Sequence, residues 1–160
     1  MAQSHDNSAL AALLANAQNL GGLVYAGDIS PQDAFAFASN QPAVIVDVRT
    51  IPEWQFVGLP NLADTPSKLL TISWKIYPSF AQNPQFTDLL SADPAVDKNT
   101  PLFFLCRSGG RSLDAAVAMT AAGYHYCFNI AGGFEGEADA SGHRGTAQGW
   151  KAANLPWGQG

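Results

Sequence analysis

Cys106 is followed by Arg107, Ser108, Gly109, Gly110, Arg111 and Ser112. This run places a sulfur nucleophile beside two guanidinium groups and two glycines. The glycines allow a tight loop whose backbone N–H groups point inward. Inward amides at the start of a helix make an anion nest. Each feature favours a thiolate over a thiol. The run also follows Leu102-Phe103-Phe104-Leu105, an apolar stretch that fits a buried strand. A cysteine at the carboxyl end of such a strand stands where α/β proteins place their chemistry.

Spacing narrows the chemistry. Phosphate-cradling cysteine loops of the tyrosine-phosphatase kind read C-x5-R. Here four residues separate Cys106 from Arg111. The shorter loop makes a smaller cradle. A tetrahedral oxyanion on the sulfur would be crowded, whereas one extra sulfur, held as a persulfide, fits.

The surrounding elements must hold this loop. Ser8 is placed to cap a helix running to about Asn19, with Gly21-Gly22 as its stop. Ser30-Pro31-Gln32-Asp33 starts a second helix, ending near Asn40. Ala43-Val44-Ile45-Val46 is a β-branched run leading to Asp47, as in a strand buried on both faces. Ile51–Pro60 reads as a helical turn and loop, and Leu69–Tyr77 as a short strand and loop. Asn83-Pro84 caps a helix over Gln85–Ala92. Ser112–Ala122 reads as a buried helix closed by Gly123, and Tyr126–Ile130 as a strand before the Gly132-Gly133 turn. Helices alternating with short buried strands predict an α/β fold with a mainly parallel sheet.

The composition fits one domain. The chain has 160 residues, 47% of them hydrophobic and 13% charged. That suffices for a core and is too little charge for a disordered chain. The net charge is −5 and the pI 4.9, and the eight Lys and Arg are scattered. A nucleic-acid partner is not expected, because no basic face is visible. No stretch approaches the ~20 apolar residues of a membrane span. Met1–Ser8 carries no Lys or Arg, so Ala9–Ala17 does not read as a secretion signal. A cytoplasmic location is expected.

Together these residues resemble the rhodanese family of sulfurtransferases. Cys106–Ser112, with the Ala-rich stretch ending Ala122-Gly123-Tyr124, resembles its active loop. Ile45-Val46-Asp47-Val48-Arg49 with Glu53-Trp54 resembles its upstream signature. Asn129-Ile130-Ala131-Gly132-Gly133-Phe134 resembles its Gly-Gly-Phe turn. Gly149-Trp150 and Leu155-Pro156-Trp157 resemble its closing segment. Where the family continues with Gly-His-Ile-Pro, this chain has Val57-Gly58-Leu59-Pro60, so that histidine is absent.

The resemblance implies a three-layer domain over about residues 28–157, with some five mainly parallel strands and helices on both faces. An N-terminal helical extension (1–27) would precede it and a tail (158–160) follow. Glu137–Ala147 would be an excursion placed to reach the mouth of the site. The implied chemistry is sulfur transfer through a Cys106 persulfide. The donor would be thiosulfate or a similar small molecule. The acceptor would be cyanide in the test tube and a thiol or protein cysteine in the cell. Arg107, Ser108, Gly109, Gly110, Arg111 and Ser112 would bind donor and persulfide, and Asp47 and Arg49 would brace the loop. No cofactor is implied. Two competing functions share the scaffold. One is a binding or sulfur-carrying module without its own catalysis. The other, against the C-x4-R count, is a phosphatase or arsenate reductase. Cys127, between Tyr126 and Phe128, reads as a packed thiol. His143 with Asp139 and Glu137 meets no zinc spacing, so no metal is expected.

Overall fold

The structure, a computed structural model, describes residues 7–19 and 21–159. Residues 1–6 and 20 of the expected N-terminal extension lie outside them, as does the last residue of the expected tail. The first half of the chain forms α1 (Asn7–Asn16), β1 (Gly27–Ile29), α2 (Pro31–Asn40), β2 (Val44–Asp47), a π-helical turn (Glu53–Val57), β3 (Leu59–Pro60) and β4 (Lys68–Thr71). The second half forms β5 (Lys75–Ile76), β6 (Ala81–Gln82), α3 (Phe86–Ser91), β7 (Leu102–Leu105), α4 (Gly110–Ala121), β8 (Cys127–Ile130), α5 (Gly149–Ala152) and β9 (Trp157–Gly158).

Five strands make one sheet in the order β1-β8-β7-β2-β4, and every pairing in it is parallel. The central strand is β7, whose Leu102, Phe103, Phe104 and Leu105 are all fully buried. Side chains alternate across a strand, so the sheet feeds two cores. Val44, Val46, Leu102 and Phe104 pack with Phe86 and Leu90 of α3 and Ala115, Ala116 and Met119 of α4. Ile45, Phe103 and Leu105 pack with Leu10 and Leu13 of α1, Phe37 of α2 and Trp150 of α5. This is the expected sandwich of helices, parallel sheet and helices. Cys106 continues the alternation onto the α4 side.

Some expected boundaries move. The first helix includes Ser8 rather than starting after it, and it stops at Asn16. Gln18 leaves the helix because its backbone exchanges hydrogen bonds with Asp28, at 2.9 and 2.7 Å. Leu69–Tyr77 splits between β4 and β5, and β5 pairs with β6 as a separate antiparallel hairpin. The Ser30 cap is as expected: its side chain accepts the Asp33 N–H at 3.0 Å, ahead of Pro31. Among the described residues, no helix is long and apolar enough to cross a membrane.

Candidate active site

The loop after β7 folds around the Cys106 sulfur. Gly109, at φ 120°, directs its N–H onto Sγ at 3.1 Å. That conformation lets α4 begin at Gly110, two residues earlier than expected, so Arg111 and Ser112 lie on its first turn. Ser112 Oγ sits 3.2 Å from Sγ. The sulfur therefore lies at the N-terminus of a twelve-residue helix, where the helix dipole favours negative charge. Cys106 is only 2% exposed.

Backbone bonds from the Gly-Gly-Phe turn hold the loop from behind. Phe134 N–H donates to the Cys106 carbonyl at 2.8 Å. Glu135 and Gly136 N–H both donate to the Arg107 carbonyl at 3.0 Å. Gly133, at φ 62°, makes this approach possible. A Cβ there would stand 2.6 Å from the Arg107 carbonyl oxygen and nearer still to that of Cys106.

Asp47 and Arg49 are both fully buried. Arg49 donates from Nε at 2.9 Å and from Nη2 at 2.7 Å to the two Asp47 oxygens, and from Nη2 to the Gly58 carbonyl. Its guanidinium lies 4.4 Å from the centre of the Phe134 ring. Among the described residues neither side chain bonds to residues 106–112. Their link to the loop runs through Phe134.

Arg111 is paired with Glu53. Its Nη1 and Nη2 donate to the two Glu53 oxygens at 2.8 and 3.0 Å. Thr50 adds its N–H and hydroxyl to Glu53 Oε1. Burial pushes the Glu53 carboxyl up, but Arg111 and Thr50 together hold it below its ordinary value. The carboxylate thus stays charged, and the pair complete, above the usual carboxylate range. The pair is lost only as pH falls through the lowered value.

Arg107, Arg111 and Glu53 line a cleft of about 530 Å³ with Lys75, Tyr77 and Phe80 of the β5–β6 hairpin. Among the described residues, Arg107 and Lys75 have no ion-pair partner. Ser108 is half-buried. Residues 137–147 do not line this cleft, which they approach only through the neighbouring Glu135. Within the segment Asp139 accepts the N–H groups of Ser141 and His143 and the hydroxyl of Thr146, and Gly145 N–H and Arg144 Nη1 tie it back to the Glu135 and Gly136 carbonyls, both at 2.7 Å.

Cys127 is a second free thiol, fully buried in β8. Burial pushes it up to about 11, against a smaller pull from Thr120. Asn129 was not singled out from the sequence as a site residue, yet it touches Ser112. The available signal was a polar residue inside a strand otherwise buried. The partnership of Glu53 with Arg111 spans 58 positions, and no local spacing announces it.

The chain belongs to the rhodanese-like domain family, whose model matches residues 30–140. It is 44% identical over 120 residues to the uncharacterized protein RP600 homolog of Rickettsia rickettsii, covering 74% of this chain and 85% of that protein. Uncharacterized protein RC0915 of Rickettsia conorii is 43% identical over the same length. The crystal structure of Rv0390 from M. tuberculosis is similar at a TM-score of 0.77 and 43% identity, covering 85% of this chain and 99% of that one.

Proposed function

We propose that the protein is a sulfurtransferase that carries sulfane sulfur on Cys106. The observation behind this is the Gly109 N–H on Sγ at 3.1 Å, beneath the start of α4. The Cys106 thiolate attacks the outer sulfur of thiosulfate. The S–S bond of the donor breaks, and sulfite leaves with its electron pair. A cysteine persulfide remains, with the negative charge on its outer sulfur. Backbone amides of the loop stabilise that charge. Cyanide or a thiol then attacks the outer sulfur, and the Cys106 thiolate is the leaving group. Covalent catalysis thus splits one transfer into two.

The test is intact mass after mixing reduced protein with thiosulfate. The expected result is a gain of one sulfur atom, removed by cyanide. A folded protein with a titratable thiol and no gain would sink thiosulfate as donor.

Glu53 tunes the same site. While it holds Arg111, dianion binding rests on Arg107 and Lys75. Glu53→Gln removes a negative charge and keeps an oxygen for Thr50. Thiosulfate KM should fall about three- to tenfold, with kcat changed less, since a freed guanidinium is suited to oxyanions. Steady-state transfer to cyanide measures this. An unchanged KM would mean that Arg111 takes no part in donor binding.

A further inference from the structure

A chain of side-chain hydrogen bonds runs from Cys106 to the far strand of the sheet. Ser112 Oγ lies 3.2 Å from Cys106 Sγ and 2.5 Å from Asn129 Oδ1. Asn129 Nδ2 donates to Asp28 Oδ1 at 3.0 Å. Tyr25 donates its hydroxyl to the same Asp28 oxygen at 2.6 Å. Burial and the Asp28 charge both push the Tyr25 phenol up, so it remains a donor. Ser112 is fully buried and Asn129 is 3% exposed.

Proton counting gives this chain a direction. A serine hydroxyl has one proton. Ser112 therefore cannot donate to Asn129 and to the sulfur at once. Asp28 decides between them. Its carboxylate oxygen takes two donors, so it can only accept from Asn129. The Asn129 amide is held with nitrogen toward Asp28 and oxygen toward Ser112. That oxygen claims the Ser112 proton across the shorter of the two contacts. Ser112 then turns a lone pair toward Cys106. A thiol can donate into that lone pair, whereas a thiolate has only the Gly109 N–H unless the Ser112 proton gives up its bond to Asn129.

We infer that Asp28, acting through Asn129, restrains ionisation of Cys106 by holding the Ser112 proton away from the sulfur. Asp28 and Asn129 are positioning residues. When Cys106 ionises, its proton goes to solvent and the Ser112 proton rotates onto the sulfur. When a persulfide forms, the charge moves to the outer sulfur and the Ser112 proton returns to Asn129. The other charged groups around the sulfur are Arg107, Arg111 with Glu53, and Asp47 with Arg49. All of them are kept in the variants below. This inference rests on Cys106 as nucleophile and not on the identity of the donor.

The test compares iodoacetamide alkylation of Cys106 at neutral pH in the full chain, with Cys106→Ser as background. Asp28→Asn lets the Asn129 amide turn over, so that Asn129 donates to Ser112 and Ser112 donates to the sulfur. Its alkylation rate should rise about three- to tenfold, the worth of one hydrogen bond. Asn129→Leu removes the competing acceptor and should move the rate the same way. Ser112→Ala removes the donor and should lower it by a similar factor. The pH dependence of thiolate ultraviolet absorbance should follow the same order, which separates ionisation from access. A purely structural role would move all three variants in one direction. That outcome, or an unchanged rate in Asp28→Asn, overturns the inference. If Asn129→Leu does not fold, Asp28→Asn carries the test, being nearly isosteric at a half-buried position. Alkylation needs no sulfur donor, so failure to load sulfur from thiosulfate leaves this test intact.

Discussion

Cys106→Ser is expected to reduce sulfur transfer from thiosulfate to cyanide by at least about a thousandfold, the scale of losing a covalent nucleophile. The variant should also gain no sulfur by mass. Its fold should survive. A serine Oγ at this position still accepts the Gly109 N–H and still faces Ser112. The melting temperature should therefore stay within a few degrees of the parent, about the shift of a sub-kcal/mol change. Cys127 cannot substitute, because it is fully buried in β8 with its thiol pushed up to about 11. Retained transfer in Cys106→Ser would remove Cys106 from the mechanism altogether.

The largest loss of stability should come from Asp47→Ala. The Asp47–Arg49 pair is fully hidden from solvent. Removing the carboxylate leaves a buried guanidinium with the Gly58 carbonyl and the Phe134 ring as partners. Breaking a buried pair from one side costs about 3–5 kcal/mol. Against a typical total of about 5–15 kcal/mol, that is a large share. Urea unfolding would measure it. Removing both charges, as in Asp47→Leu with Arg49→Met, should recover most of the loss, because no uncompensated charge remains. A single-variant loss under about 1 kcal/mol, the range of a surface ion pair, would show that water or a rearranged partner reaches Arg49.

The parts of the fold legible in sequence were those with strong local chemistry. Val44–Val46 and Leu102–Leu105 are apolar throughout, and they became β2 and the central strand β7. Ser30-Pro31 marked the start of α2 because capping is a local interaction. Other elements depend on distant partners. Strand β1 has three residues, too few for any periodicity, and exists because β8 pairs with it. The end of α1 is decided by the Gln18–Asp28 bridge. Two glycines argue for a loop as far as Ser112, yet the left-handed Gly109 supplies the turn that starts α4 at Gly110. At the site, the Cys106 loop was legible as a contiguous motif. The grip of Glu53 on Arg111 and the Asn129 contact to Ser112 were not, since folding alone brings those residues together.

The bonds from Phe134, Glu135 and Gly136 to the Cys106 and Arg107 carbonyls are main chain to main chain. Their geometry does not depend on which side chains the loop carries. Neither Arg107 nor Ser108 contributes a side chain to that framework. The loop is in this respect a socket, whose lining can be exchanged while its shape persists. Its selectivity can therefore drift, or be redesigned, at positions 107 and 108 without loosening the seat of the sulfur.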